Sequence, residues 1–142
     1  MTSATTPLLT ERTHAILIGL VRQGGRHTAI YLQQLHDKLQ RATVVPSDGI
    51  DPDVVTLGSS VRYRVNKGGA MEHHVALYSK SDQEHHTLSI KSVRGLALLG
   101  MREGDAFTAW QSPDRCETIE IEMIMMQPEA DGELLRLQAL RK

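Results

Sequence analysis

Seven histidines and one cysteine are the residues of this 142-residue chain best suited to chemistry at neutral pH. Four of the histidines form two adjacent pairs, His73-His74 and His85-His86. A protein zinc site needs imidazole nitrogens at about 2.0–2.1 Å from one ion. Neighbouring residues on a strand point to opposite faces, so each pair offers one imidazole to a given site. The polar run 79–84 precedes the second pair and predicts an exposed turn there. This pattern predicts no metal site and no cofactor. Cys116 stands between Arg115, which favours the thiolate, and Glu117, which opposes it, and so reads as a spectator. No Ser-His-Asp order, phosphate-binding glycine loop or dinucleotide fingerprint is present. Residue types and spacing mark no enzyme, and no catalytic residue is assigned.

The elements that would position such residues follow from length and composition. The length suits one domain, or one domain with an appendage. Apolar residues at 40% and charged residues at 23% are ordinary for a folded chain and exclude a disordered or collagen-like one. No run of about 18 apolar residues is present, so no membrane span is expected. The first twenty residues lack a basic stretch before their apolar run, which argues against a signal peptide. A single cysteine forms no internal disulfide and fits a reducing, cytoplasmic setting. A net charge of -1 argues against bulk electrostatic binding of nucleic acid, and no direct sequence-specific nucleic-acid binding is expected.

Charge and punctuation divide the chain. Residues 1–46 carry five basic side chains and two acidic ones, whereas residues 47–142 carry eleven basic and fifteen acidic. The shift coincides with residues 44–53, VVPSDGIDPD, which read as a linker. Two parts are therefore expected, residues 1–46 and residues 47–142.

The first part is helical by pattern. Thr10 can cap a helix starting at Glu11, and Ala15 to Val21 supply a wide apolar face. Gln23-Gly24-Gly25 predicts its end, with glycine in the left-handed conformation. A second helix over about 28–42 carries Leu32, Leu35, Leu39 and Ala42 at coiled-coil spacing. The expectation is an antiparallel helical hairpin, a short coiled coil.

After the linker the period becomes two. Val61, Tyr63 and Val65 alternate with Arg62 and Arg64, and Asn66-Lys67-Gly68-Gly69 is a turn signal. His73, Val75 and Leu77 alternate in the next run. Leu88 and Ile90 mark a third strand, Phe107 and Trp110 a fourth, and Ile119, Ile121, Met123 and Met125 one face of the last. Residues 94–100 suit a short helix that Gly100 can end. The expected class is α+β, an antiparallel sheet with one short helix behind a helical hairpin.

Three segments carry a family resemblance. They are DVVTLGSSV at 53–61, GLALLGMREGD at 95–105 and QPEA at 127–130. Together they resemble the C-terminal domain of the Gre transcript-cleavage factors, and more closely the Rnk family, the regulators of nucleoside diphosphate kinase. The resemblance covers about residues 53–132, and the preceding hairpin fits the same order of parts. It implies an FKBP-like fold for residues 47–142. It also implies docking on bacterial RNA polymerase at the rim of the secondary channel, with the helical hairpin pointing toward the catalytic centre. The polymerase contact implied lies at Ser92, Val93 and Arg94, where Val93 replaces a proline usual in the family. The leucines and glycines of the 95–105 segment read as maintaining the fold.

In the Gre factors, acidic residues at a long coiled-coil tip help hold a second metal ion for RNA cleavage. The tip here reads Arg22, Gln23, Gly24, Gly25, Arg26, without a carboxylate, on a hairpin about half as long. The resemblance thus implies a non-catalytic polymerase regulator that competes with Gre factors. The alternatives are a cleavage factor with a degenerate tip and, by fold analogy alone, a peptidyl-prolyl isomerase of the FKBP type. The latter needs clustered aromatics, and the β part has only Tyr63, Tyr78, Phe107 and Trp110.

Overall fold

The computed structural model describes residues 6–77 and 86–131. Tyr78, the turn expected at 79–84, His85 and the C-terminal residues 133–142 lie outside the described residues.

Strand β1 (Leu8–Thr10) leads into helix α1 (Glu11–Arg22), and helix α2 (Ala29–Arg41) returns to strand β2 (Thr43–Val45). The Thr10 hydroxyl accepts from the Thr13 amide and caps α1, as expected. Thr28 caps α2 in the same way, through the Tyr31 amide. The end of α1 differs from expectation. Gln23 stays right-handed, and a 3-10 turn over Gly24–Arg26 carries the chain into α2. Neither tip glycine has positive φ. Tightening the last turn satisfies backbone groups without a left-handed residue.

The stretch read as a linker is built into the fold. Thr43–Val45 pairs in parallel with Leu8–Thr10, and Ile50, Val54 and Val55 are buried. Prolines and aspartates break the helical pattern there, yet Ile50 between them is buried, as are Val54 and Val55 just beyond the stretch.

Five strands form the main sheet: β3 (Ser60–Val65), β4 (Met71–Ala76), β5 (Thr87–Ser89), β6 (Ala106–Ser112) and β7 (Arg115–Met126). Their order is β5-β4-β3-β7-β6. β3 and β4 form the expected hairpin, with Asn66 and Lys67 at φ 52° and 61° in the turn. Two successive positive φ values are the mark of the type I′ turns that match strand twist. The sheet is mixed rather than antiparallel, because β5 runs parallel to β4.

The last strand also departs from simple alternation. Arg62 lies opposite Met123 while Tyr63 lies opposite Ile121, and a second slip falls between Ser60 and Val61. Each extra residue on β7 reverses which face its side chains take. Ile119 and Ile121 are therefore buried, Ile124 packs against the core, and Met123 and Met125 are exposed.

Helix α3 (Val93–Leu98) covers the sheet between β5 and β6. One apolar cluster joins Leu17, Leu20, Tyr31 and Leu35 of the helical hairpin to Val61, Tyr63, Ile119 and Ile121 of the sheet and to Leu96, Leu98 and Leu99. α2 contacts α1, α3 and β6. Its fully covered residues are Tyr31, Leu35 and Lys38, while Leu32, Leu39 and Ala42 of the expected seam are partly buried. The reason is geometric: a helix covered on two sides buries more than one seam. No helix among the described residues is long and apolar enough to cross a membrane.

Candidate functional site

The contact loop expected at 91–94 is held by its own short-range bonds. Ser92 caps α3: its hydroxyl accepts from the Gly95 amide at 3.1 Å and donates to the Ser89 carbonyl at 2.6 Å. Gly95 is required by close approach, since a Cβ there would sit 2.1 Å from the Ser89 carbonyl oxygen. Lys91 is exposed, whereas Val93 packs against the core. Arg94 turns back onto the sheet and donates twice to one Glu117 oxygen, at 2.7 and 3.2 Å. The other Glu117 oxygen accepts from Gln111 at 2.6 Å. Burial pulls the Arg94 pKa down, and the bond and charge of Glu117 more than offset it, leaving the guanidinium firmly charged. Buried Tyr63 lies beside Arg94 and shares a 2.8 Å hydrogen bond with His73 Nδ1, and desolvation raises its pKa. The Arg94 side chain thus spans from α3 to β7.

The hairpin tip is the opposite case. Arg22, Gln23, Gly25 and Arg26 are exposed. The tip ends on His27, whose ring stacks on Tyr31 with centroids 4.9 Å apart. The nearest acidic groups on the helices, Glu11 and Asp37, stand toward the base of the hairpin, and Asp37 is paired with Arg41 at 3.2 Å. Tyr31 links the two regions: it stacks on His27 and donates to the Ile90 carbonyl, at 2.6 Å, beside the 91–94 loop. Among the described residues no group of three or more His, Cys, Asp or Glu side chains is placed to hold a metal. His73 and His74 point apart, to Tyr63 and to Ser60. Cys116 is exposed.

The three segments behind the family resemblance meet in space. Val55 donates to the Met101 carbonyl and accepts from Gly100, both at 2.8 Å. Arg102 reaches back to Asp51 and Asp53, each at 2.9 Å. Gln127 donates to the carbonyls of Asp51 and Val54, and Glu129 accepts from Thr56 at 2.6 Å. Pro128 lies on Gly58, whose φ is +96° and where a Cβ would come within 2.8 Å of the proline ring. Gly100, at φ +85°, presents its carbonyl to Leu8 of β1. The motif therefore ties the entry of the β part to its middle, its end and the first strand.

Two polar residues that sequence reading passed over complete that junction. Lys38 is 7% exposed, and its ammonium donates to the carbonyls of Ala97, in the last turn of α3, and of Leu99 just past it. Burial, with help from nearby Arg41, pulls its pKa down to about 7. Gln34 bonds both backbone groups of Trp110: it accepts from the amide at 2.9 Å and donates to the carbonyl at 2.7 Å. The signal was helical spacing, since Tyr31, Gln34, Leu35 and Lys38 share one face at intervals of three and four.

No family model matches the chain. It is 33% identical over 103 residues to the regulator of nucleoside diphosphate kinase of Escherichia coli K12, covering 71% of this chain and 75% of that protein. The regulator of the same name from Shigella flexneri matches equally. Among solved structures, the fold is similar to a prokaryotic transcription elongation factor GreA/GreB from Nitrosomonas europaea. The TM-score is 0.66 at 25% identity, over 86% of this chain and 99% of that one.

Proposed function

The chain belongs to the family of regulators of nucleoside diphosphate kinase, and from that membership we propose that it is a non-catalytic regulator that binds bacterial RNA polymerase near the secondary channel. The likeness to an elongation factor of the GreA/GreB kind supports the polymerase as partner. In this reading residues 47–142, an FKBP-like domain, dock on the rim through the loop at Ser92, Val93 and Arg94. The hairpin of residues 1–46, a short coiled coil, enters the channel mouth. The setting is the cytoplasm, and no cofactor takes part.

The observation that carries the non-catalytic half is the tip. Magnesium takes hard oxygen ligands, mostly carboxylates, phosphates and water. Arg22, Gln23, Gly24, Gly25 and Arg26 supply no carboxylate, and the two guanidiniums repel a cation. α1 has 12 residues and so reaches only about 18 Å. Such a tip occupies space without completing a metal site. Competition with Gre factors follows from a shared docking surface.

The test is direct binding. The full chain, labelled at Cys116, is titrated with purified bacterial core polymerase and followed by fluorescence anisotropy. Saturable binding that a Gre factor displaces is the expected result. Absence of saturable binding, or binding that a saturating Gre factor leaves untouched, overturns the reading.

A further inference from the structure

The two faces of the main sheet differ. On one, Tyr63 of β3 and its partner Ile121 of β7 are buried in the core. Residues paired in a ladder share a face, and successive residues along a strand alternate. Arg62 and Arg64 therefore take the other face, with Glu72, Met123 and Glu120 as their partners across the ladders. Glu122 joins them, because its carboxylate pairs with Arg64. Met123 is 44% exposed and Met125, two residues on, is 39% exposed, so two large apolar side chains stand uncovered on a charged surface. Glu103 reaches the strand between them and accepts from the Ile124 amide at 2.7 Å. This surface lies across the sheet from Arg94, whose partner Glu117 alternates in step with the buried Ile119 and Ile121.

The chain leaves β7 beside these methionines. Gln127 is buried on the carbonyls of Asp51 and Val54, and the Ala130 and Asp131 amides donate back to it at 3.2 and 3.0 Å. That turn fixes where residues 132–142 begin. They lie outside the described residues and read GELLRLQALRK. Eleven residues reach about 36 Å at most, and Met125 and Met123 are only about 7 Å apart along the strand. The segment carries four leucines, whose removal from water is favourable. It also carries Arg136, Arg141 and Lys142 against a single acid, Glu133. The face that bears the methionines has the opposite balance, with Glu72, Glu103, Glu120 and Glu122 against Arg62 and Arg64. Tethering favours this match over a free partner of like composition, because the short connection sets a high local concentration.

We propose that residues 132–142 form an intramolecular strap that docks on the outer face of β7, placing leucine side chains on Met123 and Met125 and basic side chains beside Glu103, Glu120 and Glu122. The docking face is separate from the 91–94 loop and from the hairpin tip, and does not rest on the polymerase reading.

The test treats the full chain with dilute hydrogen peroxide and follows the sulfoxide at each methionine by mass spectrometry. Leu134→Glu with Leu137→Glu should speed oxidation of Met123 and Met125 about fivefold or more, the factor expected when docking covers them about four-fifths of the time. Buried Met101 should stay protected in both proteins, which reports that the fold is kept. Arg136→Glu with Arg141→Glu should give part of the same rise, and raised salt should reproduce that part in the unaltered chain. A second reading leaves the leucines in place. A nitroxide attached to Lys142→Cys, in a Cys116→Ser chain, should broaden the methyl signals of Met123 and Met125 of the same molecule. Equal oxidation rates with and without the leucines, or methyl signals untouched by the nitroxide, overturn the proposal. Broadening that appears only between nitroxide-bearing chains and separate carbon-13-labelled ones overturns it in favour of a second copy of this chain.

Discussion

Along α2 the hairpin is tied down by Lys38 on the Ala97 and Leu99 carbonyls, by Gln34 on Trp110 and, within a turn of the tip, by Tyr31 on the Ile90 carbonyl at 2.6 Å. At its tip Arg22, Gln23, Gly25 and Arg26 are exposed. The body of the hairpin, up to Leu20 and Tyr31, shares one core with the sheet and so is specified by packing. The side chains of Arg22, Gln23, Gly25 and Arg26 are exposed and lie outside the buried core of the described residues, which leaves their composition open to the demands of a partner. Substitutions should therefore cost stability in the body and partner binding at the tip.

The largest effect is expected where the family motif meets the core. Leu99 is fully buried beside Gly100. Leu99→Ala should cost about 2–5 kcal/mol through lost contacts and a residual cavity. Urea unfolding followed by circular dichroism measures it.

Next comes the buried ammonium. The Lys38 pKa falls from 10.5 to about 7 on folding. Between those values the unfolded chain binds more protons than the folded one, so stability rises with pH across that window. The rise is of the order of a few kcal/mol, beginning near neutrality. Above pH 10 the sign reverses. Burial raises the Tyr31 pKa to about 12, so the unfolded phenol ionises first and pulls stability down. Lys38→Met should flatten the rise and leave the alkaline fall. Unfolding free energies at about pH 7, 8.5, 10 and 11 for both proteins check this.

Gln34→Ala gives a smaller effect. It frees the two backbone groups of Trp110 to water at an exposed edge, and should cost about 1 kcal/mol. A local rise in hydrogen exchange at the Trp110 amide should accompany it. The smallest stability effect is expected at the tip, where Arg22→Ala with Arg26→Ala should stay within about 0.5 kcal/mol. The same double variant should weaken polymerase binding severalfold, more at low salt than at high. Equal affinity at low salt would remove the tip from the interface.

Much of this arrangement was legible in the sequence where local signals agree. Thr10 and Thr28 stand where caps belong, and the β3–β4 hairpin follows from alternation around Asn66-Lys67. Gly95 and Gly100 keep the places their types suggest at α3. What failed depends on distant partners. The short parallel pairing of Leu8–Thr10 with Thr43–Val45 has no local sign, because each strand is three residues long. The outward turn of Met123 and Met125 follows from slips against β3 that β7 alone does not encode. Arg94 reads as a polar loop residue until Glu117, 23 positions away, is placed beside it. Lys38 reads as a solvated helix residue until the end of α3 covers it.

The central claim is occupancy of the polymerase channel without cleavage, and a stalled, backtracked transcription complex with Mg²⁺ tests it most directly. With the protein alone, RNA cleavage should stay at the intrinsic rate, and replacing Gly24 and Gly25 by Asp and Glu should not raise it. With a Gre factor present, saturating protein should suppress the stimulated cleavage. Cleavage stimulated by this protein alone, or Gre-stimulated cleavage that persists at saturation, would contradict the account.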